Sequence, residues 1–146
     1  GESFFVVANI PYYITAKITR MFLETEPRPR SMTLMVQYEV AKRITSKPPE
    51  MNLLALSIQA YGKPRIIKKV SKKYFRPQPK VDSAILTISD INDSFFREHD
   101  LSSEIFFARA KKAFAQKRKM LRNSLGIESK KRPQELSLED WASLSF

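Results

Sequence analysis

VVANIPYYI, residues 6–14, decides how the rest of the chain is read. The residues leading into it, Phe4, Phe5, Val6 and Val7, are continuously apolar rather than alternating. That is the pattern of a strand covered on both faces, as in a layered α/β sheet. The run stops at Asn9-Ile10-Pro11-Tyr12, because proline offers no N–H to a ladder and disrupts a helix interior. Such a stop is either a plain strand-to-helix turn or a place where side chains and carbonyls are presented to a ligand.

Working outward, residues 3–9 are predicted to be a buried strand. A helix follows, capped by Thr15 and striped by Ile18, Met21 and Phe22 as far as Leu23, with Pro27 and Pro29 beyond its end. Residues 32–36 read as a second buried strand, 39–44 and 51–61 as helices, and Gly62-Lys63-Pro64 as a turn. Strands at 65–70 and 84–89 flank the proline-rich YFRPQPKVDS. The order strand, helix, strand, helix, helix, strand, strand is part of an α/β sheet. Composition changes near residues 90–94. Beyond it the sequence predicts one long helix over 103–125, stopped at Gly126, and a short one over 138–144 with Ser137 and Asp140 as a capping box. Trp141 is expected in the core of this last region, and His99, the only histidine, exposed in a polar linker.

Composition narrows the chemistry. No cysteine is present, which excludes disulfides, thiolate metal sites and cysteine nucleophiles. Only three glycines occur, so no glycine-rich phosphate loop can be written in these 146 residues. No apolar run reaches the ~20 residues of a membrane span and no signal-peptide pattern opens the chain, so a cytoplasmic protein without membrane or metal is expected. Lysine and arginine number 26 against 15 acids, a net charge of +11. Residues 63–80 hold eight bases and no acid, and residues 109–122 hold seven and none. Two such blocks favour a polyanionic partner, nucleic acid before membrane.

If a flat amine-bearing base is to be held for reaction at its exocyclic nitrogen, that nitrogen is a weak nucleophile because its lone pair is delocalised into the ring. Acceptors for its two N–H groups favour a tetrahedral nitrogen and free that lone pair. The Asn9 oxygen and the Ile10 carbonyl suit that task, with Pro11 fixing the turn and Tyr12 stacking on the base. Phe75, on the proline-stiffened loop, suits the other face of a flipped base, with Arg76 and Lys80 taking phosphates. Each motif alone is also compatible with an ordinary turn or connector. On the long helix, Phe106, Ala110, Ala113, Phe114, Met120, Leu121 and Leu125 fall in one arc at ~100° per residue. Arg109, Lys111, Lys112, Lys119 and Arg122 fall on the other side, while Lys117 lands inside the apolar arc. Without acids to pair with, that cationic face repels itself unless a polyanion covers it.

NIPYYI, QYEVAKR, FRPQPKVDSAIL and FAQKRKMLRNSL, in this order and spacing, resemble the ribosomal RNA adenine dimethylase family from residue 4 to the end. The resemblance implies the second half of a Rossmann-like, S-adenosylmethionine-dependent methyltransferase sheet (residues 1–92) plus a small all-α RNA-binding domain (93–146). It implies methylation of N6 on two adjacent adenines near the 3′ end of small-subunit ribosomal RNA, on a pre-30S-type particle, by a monomer. The Arg-Asn-Ser-Leu stretch is similar to the ribosome-biogenesis branch rather than the antibiotic-resistance methylases. Carried over by the motifs, Asn9 touches both cofactor and target amine, and Asn9, Ile10, Pro11, Tyr12 and Phe75 form the catalytic set. Arg76, Lys80, Arg109, Lys111, Lys112, Lys119 and Arg122 engage RNA. Glu39, within QYEVAKR, is expected to be structural.

The departure from the family is its first half, with the glycine-rich cofactor loop and the acids for the cofactor's ribose and adenine. The chain alone is therefore expected to be inactive. A non-catalytic RNA-binding or ribosome-assembly module is the alternative from another class, and a mitochondrial transcription-factor relative a third reading.

Overall fold

The computed structural model describes residues 2–144, so residues 1, 145 and 146 of the two expected domains lie outside it. Four strands, β1 (Phe5–Asn9), β2 (Ser31–Gln37), β3 (Lys63–Val70) and β4 (Ser83–Ser89), form one sheet in the order β1-β2-β4-β3. β1 and β2 are parallel, whereas β4 runs antiparallel to both β2 and β3. The helix α1 (Thr15–Glu24) is the crossover that a parallel pair requires. α2 (Tyr38–Ile44) and α3 (Leu53–Gln59) lie between β2 and β3. Alternation in β2 sends Met32, Leu34 and Val36 to the helix-covered face, where β4 contributes Ala84, Leu86 and Ile88, all fully buried.

The opposite face is open. β1 was expected to be covered on both sides, but it is an edge strand whose Phe5 and Val7 are 64% and 80% exposed. Only Val6 and Ala8 pack against the core. Apolar residues on both faces thus meet cover on one face alone among the described residues.

Local chemistry explains smaller differences. Thr15 does not cap α1: its hydroxyl donates to the Tyr12 carbonyl at 3.3 Å, and a 3-10 turn over Tyr12–Ile14 precedes the helix. α1 buries Thr15, Thr19 and Leu23, with Ile18 and Phe22 partly covered and Met21 exposed. Lys63 and Pro64 belong to β3 rather than to a turn. As an outer strand, β3 tolerates a proline that gives up one ladder bond.

Beyond the sheet come α4 (Ser94–Glu98), α5 (Ser103–Ala115), α6 (Leu121–Ser124) and α7 (Leu138–Ser143). Their aromatic side chains continue the sheet's core: the Tyr61 ring lies 5.2 Å from Phe96 and 6.1 Å from Phe107. Phe106 and Phe114 flank the fully buried Trp141 at 6.3 and 5.8 Å. The reciprocal Ser137–Asp140 capping box opens α7 as expected.

The single helix expected over 103–125 is broken. α5 ends at Ala115, and Met120 is extended. The amides that a straight helix would satisfy internally are taken by the segment 129–131: Leu121 N–H donates to the Lys131 carbonyl at 2.9 Å and Arg122 N–H to the Ser129 carbonyl at 3.3 Å. Leu121 is thereby buried. The break also accounts for Lys117, which sits exposed in the turn rather than in an apolar arc. Gly126, at φ +69°, ends α6 in the left-handed conformation glycine allows.

Candidate active site

Asn9-Ile10-Pro11-Tyr12 leaves the carboxyl end of β1. The Ile10 N–H makes a last contact across to the Met35 carbonyl at 3.4 Å, and the Ile14 N–H closes the following turn on the Pro11 carbonyl at 3.1 Å. The Tyr12 hydroxyl is fastened to the Ser83 hydroxyl at 2.6 Å. Ser83 is itself buried at the start of β4. The tyrosine ring is thus held from both ends, by backbone and by hydroxyl. Asn9 is exposed, and among the described residues neither its side chain nor the Ile10 carbonyl has a hydrogen-bond partner.

The second wall is the loop after β3. Ser71 caps a 3-10 turn over Lys72–Tyr74, its hydroxyl accepting from the Lys73 N–H at 3.3 Å. Asp82 ties the two ends of the loop together. One carboxylate oxygen accepts the Lys72 N–H at 2.9 Å, the other lies 3.7 Å from Lys69 Nζ, and the Asp82 carbonyl accepts the Tyr38 N–H at 3.0 Å. The Lys72 amide, helped by the charges of Lys69 and Lys72, holds the Asp82 carboxyl below its ordinary range. Lys69 and Lys42 lie 4.5 and 5.0 Å from the Tyr38 ring, a further tie at the loop's base.

These two walls enclose one cleft of about 390 Å³, lined by Asn9, Ile10, Pro11 and Tyr12 together with Phe75, Arg76, Pro77 and Pro79. β1 and β3 run in the same direction, so the cleft sits outside the carboxyl ends of the strands. Open α/β sheets hold ligands in that place. The arrangement offers two unpaired acceptors, two aromatic rings and a guanidinium to one small, flat ligand.

The remaining predicted residues are dispersed. Lys80 is exposed on the same loop, and Lys112, Lys119 and Arg122 are exposed beyond the sheet. Arg109 lines a groove with residues 125–128 and Ser143, whereas Lys111 lines another with Arg20, Leu53 and Ser57. The single cationic helical face expected from sequence does not form, because Lys119 and Arg122 lie past the helix break and Arg109 and Lys111 lie in different grooves. His99 is half-buried rather than exposed: its Nδ1 lies 2.8 Å from the Phe95 carbonyl and its Nε2 3.4 Å from Glu139. Among the described residues Glu39 pairs only with Lys42, at 2.9 Å on the surface. Sequence reasoning missed Ser83 and Asp82 as supports, although both stand in the quoted KVDS, and passed over Tyr74. Among the described residues no helix is long and apolar enough to cross a membrane, and no group of His, Asp and Glu is arranged to hold a metal.

Comparison with known proteins places the chain in a family. The family model described as ribosomal RNA adenine dimethylase matches residues 1–140. The ribosomal RNA small subunit methyltransferase A of Dehalococcoides mccartyi is 40% identical over 95% of this chain and 53% of its own length. That of Clostridium botulinum is 35% identical over 99% of this chain and 58% of its own. The chain thus spans about half the length of the curated relatives it matches. Among solved structures, a Plasmodium falciparum dimethyladenosine transferase superposes with a TM-score of 0.83 at 19% identity, over 97% of this chain and 65% of that one. The 23S rRNA methyltransferase ErmE superposes at 0.67 with 24% identity, over 96% and 63%. The fold is accordingly the Rossmann-like α/β sheet of these methyltransferases. On the match across residues 1–140, the chain belongs to the ribosomal RNA adenine dimethylase family.

Proposed function

We propose that this chain is the target-base half of an enzyme that dimethylates N6 of two adjacent adenines near the 3′ end of small-subunit ribosomal RNA. The observation that carries the reading is the cleft itself, where Asn9, the Ile10 carbonyl, Tyr12 and Phe75 meet. An adenine between the two rings donates its amino hydrogens to the two open acceptors. The lone pair so freed would attack an electrophilic methyl group in line, the N–C bond forming as the methyl's bond to its donor sulfur breaks and that sulfur leaves with the electron pair as a neutral thioether. The amino group would then give up one proton to solvent. S-adenosylmethionine would supply that methyl group when bound, and Asn9, exposed on the edge strand β1, is the residue of this chain that would meet it. Arg76 at the cleft, with Lys80, Arg109, Lys111, Lys112, Lys119 and Arg122 around the molecule, takes the RNA backbone. The sheet residues up to 92 carry the base site and residues from 93 onward the helical RNA-binding part, acting as a monomer on a cytoplasmic pre-30S-type particle.

The bare β1 edge, with Phe5 and Val7 outward, favours half of an enzyme over a free-standing RNA-binding module, since contiguous exposed apolar surface marks a missing partner. Alone, the chain is expected neither to bind S-adenosylmethionine in the micromolar range nor to turn over. Calorimetric titration checks this, and micromolar binding at a defined site refutes it. Joined behind the first half of the Dehalococcoides relative, it is expected to methylate small-subunit RNA. In that protein Asn9→Ala is expected to cut kcat about a hundredfold or more, the scale for losing a preorganised polar group. Tyr12→Ala and Phe75→Ala are expected to lower turnover more than RNA affinity. Equal loss of both quantities contradicts base stacking.

A further inference from the structure

The basic block over residues 63–80 becomes an ordered surface whose residues the base site leaves mostly unused. β3 is an outer strand, and its pairing to β4 shifts register between Ile66 and Lys68. Before the shift Lys63 and Arg65 stand opposite Ser89 and Thr87, and after it Lys68 stands opposite Ile85. Ser89, Thr87 and Ile85 alternate with the buried Ile88, Leu86 and Ala84, so all three cations share the open face of the sheet. Without the extra residue, Ile67 would take that place and Lys68 would turn toward the core. The bulge therefore gathers the cations into one row.

Successive members of a strand row lie roughly 6.6 Å or slightly more apart, a repeat suited to phosphates along an extended nucleic-acid strand. Arg65 and Lys68 make no ion pair among the described residues, and Lys63 has only a long, exposed contact with Asp90 at 3.6 Å. The chain then leads from this row into the capped turn at Lys72–Tyr74, where the Tyr74 ring is 82% exposed, next to Phe75 in the cleft. An exposed aromatic between Lys73 and Phe75 has no packing role to account for it, and it suits a platform on which an unstacked base can rest.

We propose that Lys63, Arg65 and Lys68 form a track for the backbone of single-stranded RNA flanking the target adenine, and that Tyr74 stacks a neighbouring base. The proposal deepens the base-site reading and rests on it for the direction of the strand. The cations neutralise phosphates without reading sequence, and Tyr74 favours an unpaired strand over a duplex because only unstacked bases offer a free face.

The test measures binding of the 146-residue chain to a fluorescent 12-nucleotide single strand of RNA, to a 12-base-pair RNA duplex and to heparin, over a range of salt. The variants are K63Q/R65Q/K68Q, Tyr74→Ala, Tyr74→Phe and K111Q/K112Q/K119Q/R122Q, each checked for fold by its thermal unfolding. The triple variant is expected to flatten the single-strand salt slope by about 2, near 0.7 per lost phosphate contact. Tyr74→Ala is expected to weaken the single strand about tenfold, to leave heparin unchanged, and to be rescued by Tyr74→Phe. An unchanged slope in the triple variant overturns the track. Equal losses on RNA and heparin with Tyr74→Ala overturn the stacking role. RNA binding lost only in the helical variant overturns this proposal and leaves the broader reading standing, whereas absence of RNA binding by the unaltered chain removes the RNA reading of both. Binding to an acidic protein in place of either RNA likewise counts against it.

Discussion

The two basic blocks, 63–80 and 109–122, look alike in sequence and have opposite fates in the structure. In the first, an outer strand with one bulge brings Lys63, Arg65 and Lys68 to a common face and delivers Arg76 to the cleft. In the second, the helix expected to align five cations stops at Ala115, and the cations part company. A density of lysine and arginine is therefore not yet a surface. What decides is whether the local backbone period adds the charges up or disperses them. In the strand the period of two favours the row once the bulge has corrected its phase. In the helix the tertiary bonds from Leu121 and Arg122 to the 129–131 segment override the period of 3.6.

The largest expected effect bears on what holds the second block together. If its conformation depends on the aromatic core, Trp141→Ala, which removes a fully buried ring packed on Phe106 and Phe114, is expected to cost ~3–5 kcal/mol. Urea unfolding followed by tryptophan-independent far-ultraviolet dichroism measures it. Because Tyr61 links the same cluster to the sheet, one transition is expected, shifted as a whole. Two separate transitions would show that the helical part unfolds by itself and that the two blocks belong to independent bodies.

Gly62, immediately before β3, tests the first block in the same currency. A Cβ there would stand 2.7 Å from Ile88 Cγ2 and 3.1 Å from the Ser89 carbonyl oxygen. Gly62→Ala is expected to cost about 1–3 kcal/mol through overpacking, and to displace the Lys63 end of the row. A neutral result means the strand start can move aside, which weakens the case for a fixed row.

A smaller effect separates the blocks as ligand surfaces. Four cations replaced together, Lys111, Lys112, Lys119 and Arg122 by Gln, are expected to flatten the RNA salt slope by less than the full ~0.7 per residue that four aligned contacts would give on a single strand. The reason is that Lys111 faces the groove with Arg20 and Leu53, away from the groove holding Arg109. A full loss for all four restores the continuous cationic face and erases the contrast.

The contrast also marks where the sequence was legible. Buried strands of alternating or continuous apolar residues, such as 32–36 and 84–89, announce themselves, and so do stops such as Pro11 and Gly126. Asn9, Tyr12 and Phe75 could be paired in one site because motifs at both strand ends are local and chemically specific. The helix break was not legible, because 115–122 carries helix formers throughout and the competing bonds come from residues 129–131. Lys117 was the one local sign, a cation where an unbroken helix needed an apolar residue. The half-burial of His99 depends likewise on α7 arriving beside it. The exposure of Phe5 and Val7 could not be read from β1, since a strand's sequence records the cover it suits rather than the cover it has.

The smallest expected effect concerns the loop that carries both Tyr74 and Phe75, the one stretch belonging at once to the basic row and the cleft. Asp82 holds its two ends, and its carboxyl titrates below the ordinary value because the Lys72 amide, Lys69 and Lys72 favour the charged form. A depressed carboxyl stabilises the fold fully above the unfolded value, about pH 3.9 for aspartate, and the contribution fades as pH falls through the lower folded value. Acidification below pH 4 is therefore expected to lower the protection of the Lys72 amide, its exchange measured against the intrinsic rate at each pH, before the sheet amides lose theirs. Asp82→Asn is expected to lower that protection already at pH 7 and to leave it without a further drop on acidification, while the second block stays unaffected. If the Lys72 amide in the unaltered protein follows the rest of the sheet across this range, the carboxylate does not hold the loop. The row and the cleft would then be joined by chain connectivity alone.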